Sequence, residues 1–316
     1  MRAASLPLAC ALAISWTGCI PRQAGGGPQR AGRLEAVEAL FEAQDHAGVI
    51  QALSGERIRE FPRKARPRAY DLLGLSLQRN GDASRALQVF QLAEGVYPKD
   101  LNILTDLASL LQASGLDDRA RPYYERVLRI HPNNARSHLG LAKIHRNQGY
   151  LALAEEHYER CLREWHMHAF IWREYGRVLA DERKLGRAAE AARKALAIER
   201  APDSLLLLAS VDRAQGRRDE SYSSLAEAAA LEPRRTDLPL QRALWLLEDG
   251  RLDEAKSVAS AVLKTAPAEP LAHWVRGSVA LRRGFKMEAK MELAAAAAQE
   301  GTFISRAAKT MLEALP

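Results

Sequence analysis

The stretch Pro67–Pro98, PRAYDLLGLSLQRNGDASRALQVFQLAEGVYP, is followed almost at once by Leu101–Pro132, LNILTDLASLLQASGLDDRARPYYERVLRIHP, and the two share one grammar. Counted from Pro67, residues Tyr70, Leu73, Gly74 and Leu77 fall at positions 4, 7, 8 and 11, and Gly81, Ala86, Phe90, Ala93 and Pro98 at 15, 20, 24, 27 and 32. Counted from Leu101, the same positions hold Leu104, Leu107, Ala108, Leu111, Gly115, Ala120, Tyr124, Val127 and Pro132. Positions 4, 7, 8 and 11 make one apolar stripe on a first helix, and 20, 24 and 27 make another on a second. Two striped helices must pack together. Small residues at 8 and 20 let the backbones approach, the glycine permits the turn, and the proline ends the second helix.

The register recurs from Ala135 (Leu141, Ala142, Gly149, Ala154, Tyr158, Cys161), Ala169 (Trp172, Gly176, Leu179, Ala188, Ala195) and Pro202 (Leu205, Leu208, Ala209, Gly216, Leu225, Ala228, Pro233). It continues from Thr236 (Ala243, Leu246, Gly250, Ala255, Val262, Pro267) and Pro270 (Gly277, Gly284, Ala289, Leu293, Ala296). The unit from Ala169 has Arg183 at the turn, lacks a terminal proline and is one residue short. In the unit from Thr236, Pro239 belongs in a first helical turn, with Thr236 or Asp237 as cap, so that helix begins late. This pattern closely resembles the tetratricopeptide repeat, a helix-turn-helix unit of 34 residues. The resemblance implies an all-α solenoid, a right-handed superhelix whose first helices line a concave groove that holds a partner protein.

The expected organisation is an export signal at residues 1–18, a tether at 19–32, a degenerate repeat at 33–66, seven repeats over 67–303 and a capping helix at 304–316. Residues 33–66 have repeat length and Ala36, Ala39, Leu40 and Ala52, but lack the turn glycine and terminal proline at their usual places. After Thr302, residues Phe303, Ala307, Met311 and Leu315 share one helical face, with Arg306, Lys309 and Glu313 opposite. That face is expected to cover the last repeat, because terminal units of a stacked array need a polar outer side.

The N-terminus reads as Met1-Arg2, an apolar core ending at Trp16, then Thr17-Gly18-Cys19. This core has the length of a secretory signal and falls short of the ~20 apolar residues that span a bilayer. Thr17 and Gly18 before Cys19 resemble the lipobox of bacterial lipoproteins, with Trp16 departing from the usual Leu, Val or Ile. The resemblance implies lipidation at Cys19 as the first mature residue; an ordinary cleaved signal is the alternative. The Gly- and Pro-rich segment that follows has the composition of a flexible tether, reaching about 40 Å when extended. Ile20 rather than Asp agrees with sorting to an outer membrane, facing the periplasm.

The 316 residues, 47% hydrophobic and 27% charged, exclude wholesale disorder, and a formal net charge of +7 is too small to argue a nucleic-acid binder. Three cysteines, at 10, 19 and 161, give no disulfide framework or zinc-ligand spacing. No metalloprotease, nucleophile-elbow or phosphate-loop motif occurs, and the repeats leave no room for a catalytic domain, so neither enzyme activity nor a cofactor or small-molecule substrate is expected. Six of the eight histidines, at 131, 138, 145, 157, 166 and 168, crowd one region. His138 and His145 sit at packing positions 4 and 11, and without a Cys or carboxylate completing the set a packing role is favoured over a metal site. Cys161 reads as a small buried hydrophobe.

If positions 2, 5, 6, 9, 12 and 13 face the groove, as the family resemblance implies, Arg68, Arg79, Arg136, Lys143, Arg146, Arg173 and Arg177 form a basic stripe interspersed with Asp71, Asp106, Glu174 and Asp181. A partner rich in acids or carbonyls would suit it; a solvated face with compensating acids is the other reading. Later repeats instead present Leu206, Leu240, Leu244 and Trp274 there, either a site for an amphipathic helix or strand of another protein or tight packing between repeats. The expected function is a membrane-anchored scaffold in assembly of an envelope complex, with similarity in architecture to lipoproteins of pilus and secretin biogenesis. The alternative is a lipoprotein regulator of a peptidoglycan or exopolysaccharide synthesis enzyme.

Overall fold

A computed structural model describes residues 31–299 and 301–315. The export-signal reading and Cys19 lie outside them. Among the described residues there are only helices and turns, and no helix is long and apolar enough to cross a membrane. The chain divides into two packed units, one ending at Val89 and the other beginning at Phe90, within a single helix.

In the first unit, α1 (Ala31–Glu42) and α2 (His46–Leu53) form a hairpin that packs on α3 (Arg66–Arg79), joined by a 3₁₀ turn over Gly55–Glu60. The missing turn glycine is replaced by Gln44, which adopts a φ of 60°. Asp45 then caps α2, its carboxylate accepting the Gly48 amide at 2.8 Å. The second helix is short here because Ser54 turns extended after it, and Val49, Leu53, Ile58 and Phe61 fill the core that a longer helix would supply. The helix α4 (Ala83–Val96) carries the chain across the boundary between units.

The second unit is a run of helix pairs: α5 (Leu101–Ala113) with α6 (Asp117–Ile130), α7 (Ala135–Asn147) with α8 (Leu151–Glu164), and α9 (Ala169–Asp181) with α10 (Leu185–Ile198). It continues with α11 (Pro202–Ala214) and α12 (Arg218–Leu231), α13 (Asp237–Glu248) and α14 (Leu252–Thr265), α15 (Pro270–Arg282) and α16 (Lys286–Ala297), and the terminal α17 (Phe303–Glu313). Each helix packs on the next, and first helices also touch first helices, as α5 does α7 and α13 does α15. The stripe residues are the core: Leu104, Leu107, Ala108, Leu111, Ala120, Tyr124 and Val127 are all essentially buried in the first of these pairs. At a rough 1.5–3 kcal/mol for each large side chain removed from water, this burial outweighs intrinsic helix propensity as the source of stability.

Departures from the repeat grammar have local solutions. Arg183 takes the left-handed turn that glycine takes elsewhere, with φ 62°. The helix bearing Pro239 begins at Asp237, so the proline lies in its first turn, where no intrahelical N–H bond is lost. Thr236 occupies the cap position, but its hydroxyl is drawn 3.5 Å toward Glu269 in place of the helix amides.

One expectation is corrected. The terminal helix covers the last repeat through Ala308, Met311, Leu312 and Leu315, which pack with Leu293 and Ala296, whereas Phe303 is 74% exposed. The cause is polar: Thr302 caps the Ser305 amide, and the Ser305 hydroxyl donates to the Ala297 carbonyl at 3.0 Å. This pins Ser305 inward and rotates the face implied by Phe303 and Ala307.

Candidate partner-binding groove

The inner face of the second unit is built from the first helices. Positions 5, 9 and 12 of α5 and positions 2, 5, 6 and 9 of α7 converge on a small open recess of about 80 Å³, lined by Thr105, Ser109, Gln112, Tyr124, Arg136, Leu139, Gly140 and Lys143. Its floor is tightly fixed. Tyr124 donates its hydroxyl to the Gln112 side-chain oxygen at 3.2 Å, and the Gln112 amide donates to the Gly140 carbonyl at 3.0 Å. Burial pushes the Tyr124 phenol up to about 12, so it stays a neutral donor. Reading by charge alone missed Ser109 and Gln112 on the wall of this recess, and Thr105, which is buried and donates its hydroxyl to the Leu101 carbonyl. Their signal was available as polar residues at groove positions 5, 9 and 12.

The basic stripe divides once its acids are seen. Arg136 is tied to the buried Asp106 of the preceding repeat. Arg146 and Arg177 both grip Glu174, at 2.5 and 2.6 Å, a mostly buried carboxylate that a single cation would satisfy less well. Arg173 is half-buried, and its Nε has no hydrogen-bond partner. Lys143 is exposed and, like Arg173, is a cation of this face with no ion pair among the described residues. Arg68 and Arg79 belong to the other unit: Arg68 bonds Glu38 and Asp71, both at 2.9 Å, and Arg79 is exposed.

The apolar stripe divides as well. Leu240 is only 2% exposed and belongs to the core, so it is removed from the list of surface contacts. The physical reason is that neighbouring first helices pack directly here, α13 against α15. Leu206, Leu244 and Trp274 remain partly exposed on the same core, and Trp274 carries a buried indole N–H with no partner.

The histidines form a column. His138 is buried, its Nδ1 lies 2.9 Å from His157 Nδ1, and the His157 ring stacks on His145 at 5.3 Å. His138 Nε2 donates to the Pro132 carbonyl at 2.9 Å, which leaves its Nδ1 to accept from His157. Burial holds all three below the ordinary histidine value, His157 at about 4. Among the described residues no group of three or more His, Cys, Asp or Glu is arranged to hold a metal ion. Cys161 is fully buried, and burial pushes its thiol up to about 12.

Comparison with known proteins meets this geometry at the repeats. The family model described as tetratricopeptide repeat matches residues 72–135, 105–166, 139–204 and 240–303. The chain belongs to the tetratricopeptide repeat family. Proteins of this family are generally non-enzymatic scaffolds, and this tetratricopeptide repeat chain is a scaffold for protein–protein interaction. No curated protein matches this sequence. Among solved structures, a tetratricopeptide repeat protein from Parabacteroides merdae ATCC 43184 superposes with a TM-score of 0.59 at 19% identity, over 78% of this chain and 97% of that one. PilW, a widely conserved type IV pilus biogenesis factor, gives a TM-score of 0.59 at 17% identity, over 67% of this chain and 98% of its own. At such identities the likeness is one of fold.

Proposed function

We infer that this protein is a membrane-tethered scaffold of a bacterial envelope, lipidated at Cys19, whose inner face holds a partner protein during assembly of a larger complex. The observation that carries the groove reading is the recess between α5 and α7, where the exposed Lys143, without an ion pair among the described residues, stands beside Ser109 and Gln112. A partner segment with exposed carbonyls or carboxylates fits this set, because a lysine ammonium donates to either. Pilus assembly is the machine we favour, supported by the fold shared with PilW and by the lipobox-like Thr17-Gly18-Cys19. A photoactivatable lysine analogue at position 143, which keeps the ammonium, is expected to capture that partner in cells.

The anchor has its own test. With Cys19→Ala, the full chain is expected to move from the membrane fraction to the soluble one and to lose incorporation of labelled fatty acid. Continued tight membrane association with an unchanged lipid label would overturn the anchor. Three acyl chains, at ~0.8 kcal/mol per buried methylene, attach stably where one is marginal, so the shift is expected to be nearly complete.

A further inference from the structure

The second helices carry a different opening, built by a departure from the repeat grammar. In the unit from Ala135, position 23 is His157, and its ring covers His138 at position 4 and His145 at position 11. In the next unit position 4 is Trp172 and position 23 is Ala191, too small to cover it. The result is an open recess of about 350 Å³ bounded by α8, α9 and α10, walled by Trp172 and Tyr175 with Leu162 and Ala191. That volume lies at the lower end of ligand-sized pockets, enough for one ring and its flanking backbone. It uses positions 4 and 7 of α9, not the groove positions, and so is separate from the inner recess.

Its charges are unbalanced in one direction. Of the rim carboxylates, Glu159 accepts from the Tyr175 hydroxyl at 2.9 Å and pairs with Arg187 at 2.6 Å. Glu190 pairs with Lys194 at 3.0 Å, and Lys194 also sits 4.5 Å over the Trp172 ring. Arg163 is exposed and has no ion pair among the described residues, and it borders both this recess and an adjacent one of about 320 Å³ lined by Asn133, by Glu164 and by Arg160, which is paired with Glu156. Both acids are therefore occupied, and the free charge is a guanidinium beside an aromatic wall.

We propose that this recess is a second docking site, for a partner peptide whose aromatic side chain takes the places that Lys194 and Arg187 hold over Trp172 and Tyr175 in the free chain and whose neighbouring carboxylate sits on Arg163. Aromatic rings attract one another beyond what area burial gives, and the guanidinium fork matches a carboxylate in two bonds. The chain's own N-terminal segment is a poor occupant: residues 20–30 contain Arg22 and Arg30 but neither an acid nor an aromatic.

The test is selection of a displayed random heptapeptide library on the full chain, followed by binding of the selected peptides in solution. The expected result is enrichment of an aromatic residue next to Asp or Glu, with affinity falling at least tenfold for Arg163→Glu and for Ala191→His, which restores the covering ring of the preceding repeat. Circular dichroism of both variants establishes that each is folded, and Arg163→Glu is a surface change that leaves the core alone. Failure to enrich such sequences would overturn the proposal, as would selected peptides that bind Arg163→Glu at full strength or are lost only with Lys143→Glu. Concentration-dependent self-association abolished by Arg163→Glu would replace the peptide with a second copy of the chain and overturn it equally.

Discussion

Gly140→Ala is expected to destabilise the second unit by about 3 kcal/mol, a large loss for a single methyl. A Cβ at Gly140 would lie 2.2 Å from the Tyr124 ring, far inside any tolerated contact. Tyr124 cannot yield easily: it is 2% exposed, and its hydroxyl is held by Gln112. Denaturant unfolding of Gly140→Ala, Tyr124→Leu and the double variant checks this directly. The double variant should be more stable than the sum of the single effects implies, because leucine, which stands at position 24 in the units from Pro202 and Pro270, removes the clashing ring. Additive losses would mean that the Tyr124 contact is not what requires glycine. The same substitution disturbs the floor of the inner recess, so partner capture at position 143 should weaken with it.

The second large effect is on pH dependence. The histidine column lies between α7 and α8, faced by Arg121 and Glu125 from α6 and by Glu156, Arg160 and Glu164 from α8. Burial first, and then the neighbouring His138 and His145, lower His157 to about 4. A group whose folded value lies below its unfolded value of about 6.5 contributes stability that is complete above pH 6.5. That stability is lost as the pH falls toward 4, since the unfolded chain then binds protons that the folded one refuses. The full shift corresponds to roughly 3 kcal/mol; because the ring keeps some contact with water, screening reduces the expected contribution to about 2 kcal/mol. Urea unfolding at pH 7.5 and 5.0 should show this loss in the native chain and a flatter dependence in His157→Gln. Equal slopes in the two would contradict it.

The helix pairs were legible in the sequence because their signals are local. A glycine at position 15 and a proline at position 32 bracket each apolar stripe, and turn chemistry acts over a few residues. Where the turn glycine is missing, Gln44 and Arg183 adopt the left-handed turn, which only the backbone reveals. The orientation of the terminal helix was not legible, since it is decided by Ser305 reaching the Ala297 carbonyl and not by apolar period.

The basic stripe was legible in the sequence as cations with acids interspersed, but which acid meets which cation was not. Its compensating acids stand one repeat away in sequence, Asp106 to Arg136 and Arg146 to Glu174, with the same spacing recurring in Lys256 with Glu288. Acids and bases about one repeat length apart come side by side when units stack, so this spacing is the signal to look for. Applied to the stripe, it finds the partners of Arg136 and Arg146 but does not choose among cations: Glu174 stands at such a spacing from Lys143 as well, and only the structure shows that Arg146 and Arg177 take it. The outer recess had a quieter signal, the alanine at position 191 where a ring stands in the preceding two units, Tyr123 and His157.

We propose that the inner face of the first helices holds a partner protein. The most direct test of this is photo-crosslinking in intact cells from position 143, with position 129 on the exposed side of α6 as the control. A discrete protein adduct from 143, absent from 129 and diminished by Gln112→Ala, is the predicted result. Adducts of equal yield from both positions, or none from 143 while the chain is folded and at normal abundance, would contradict it.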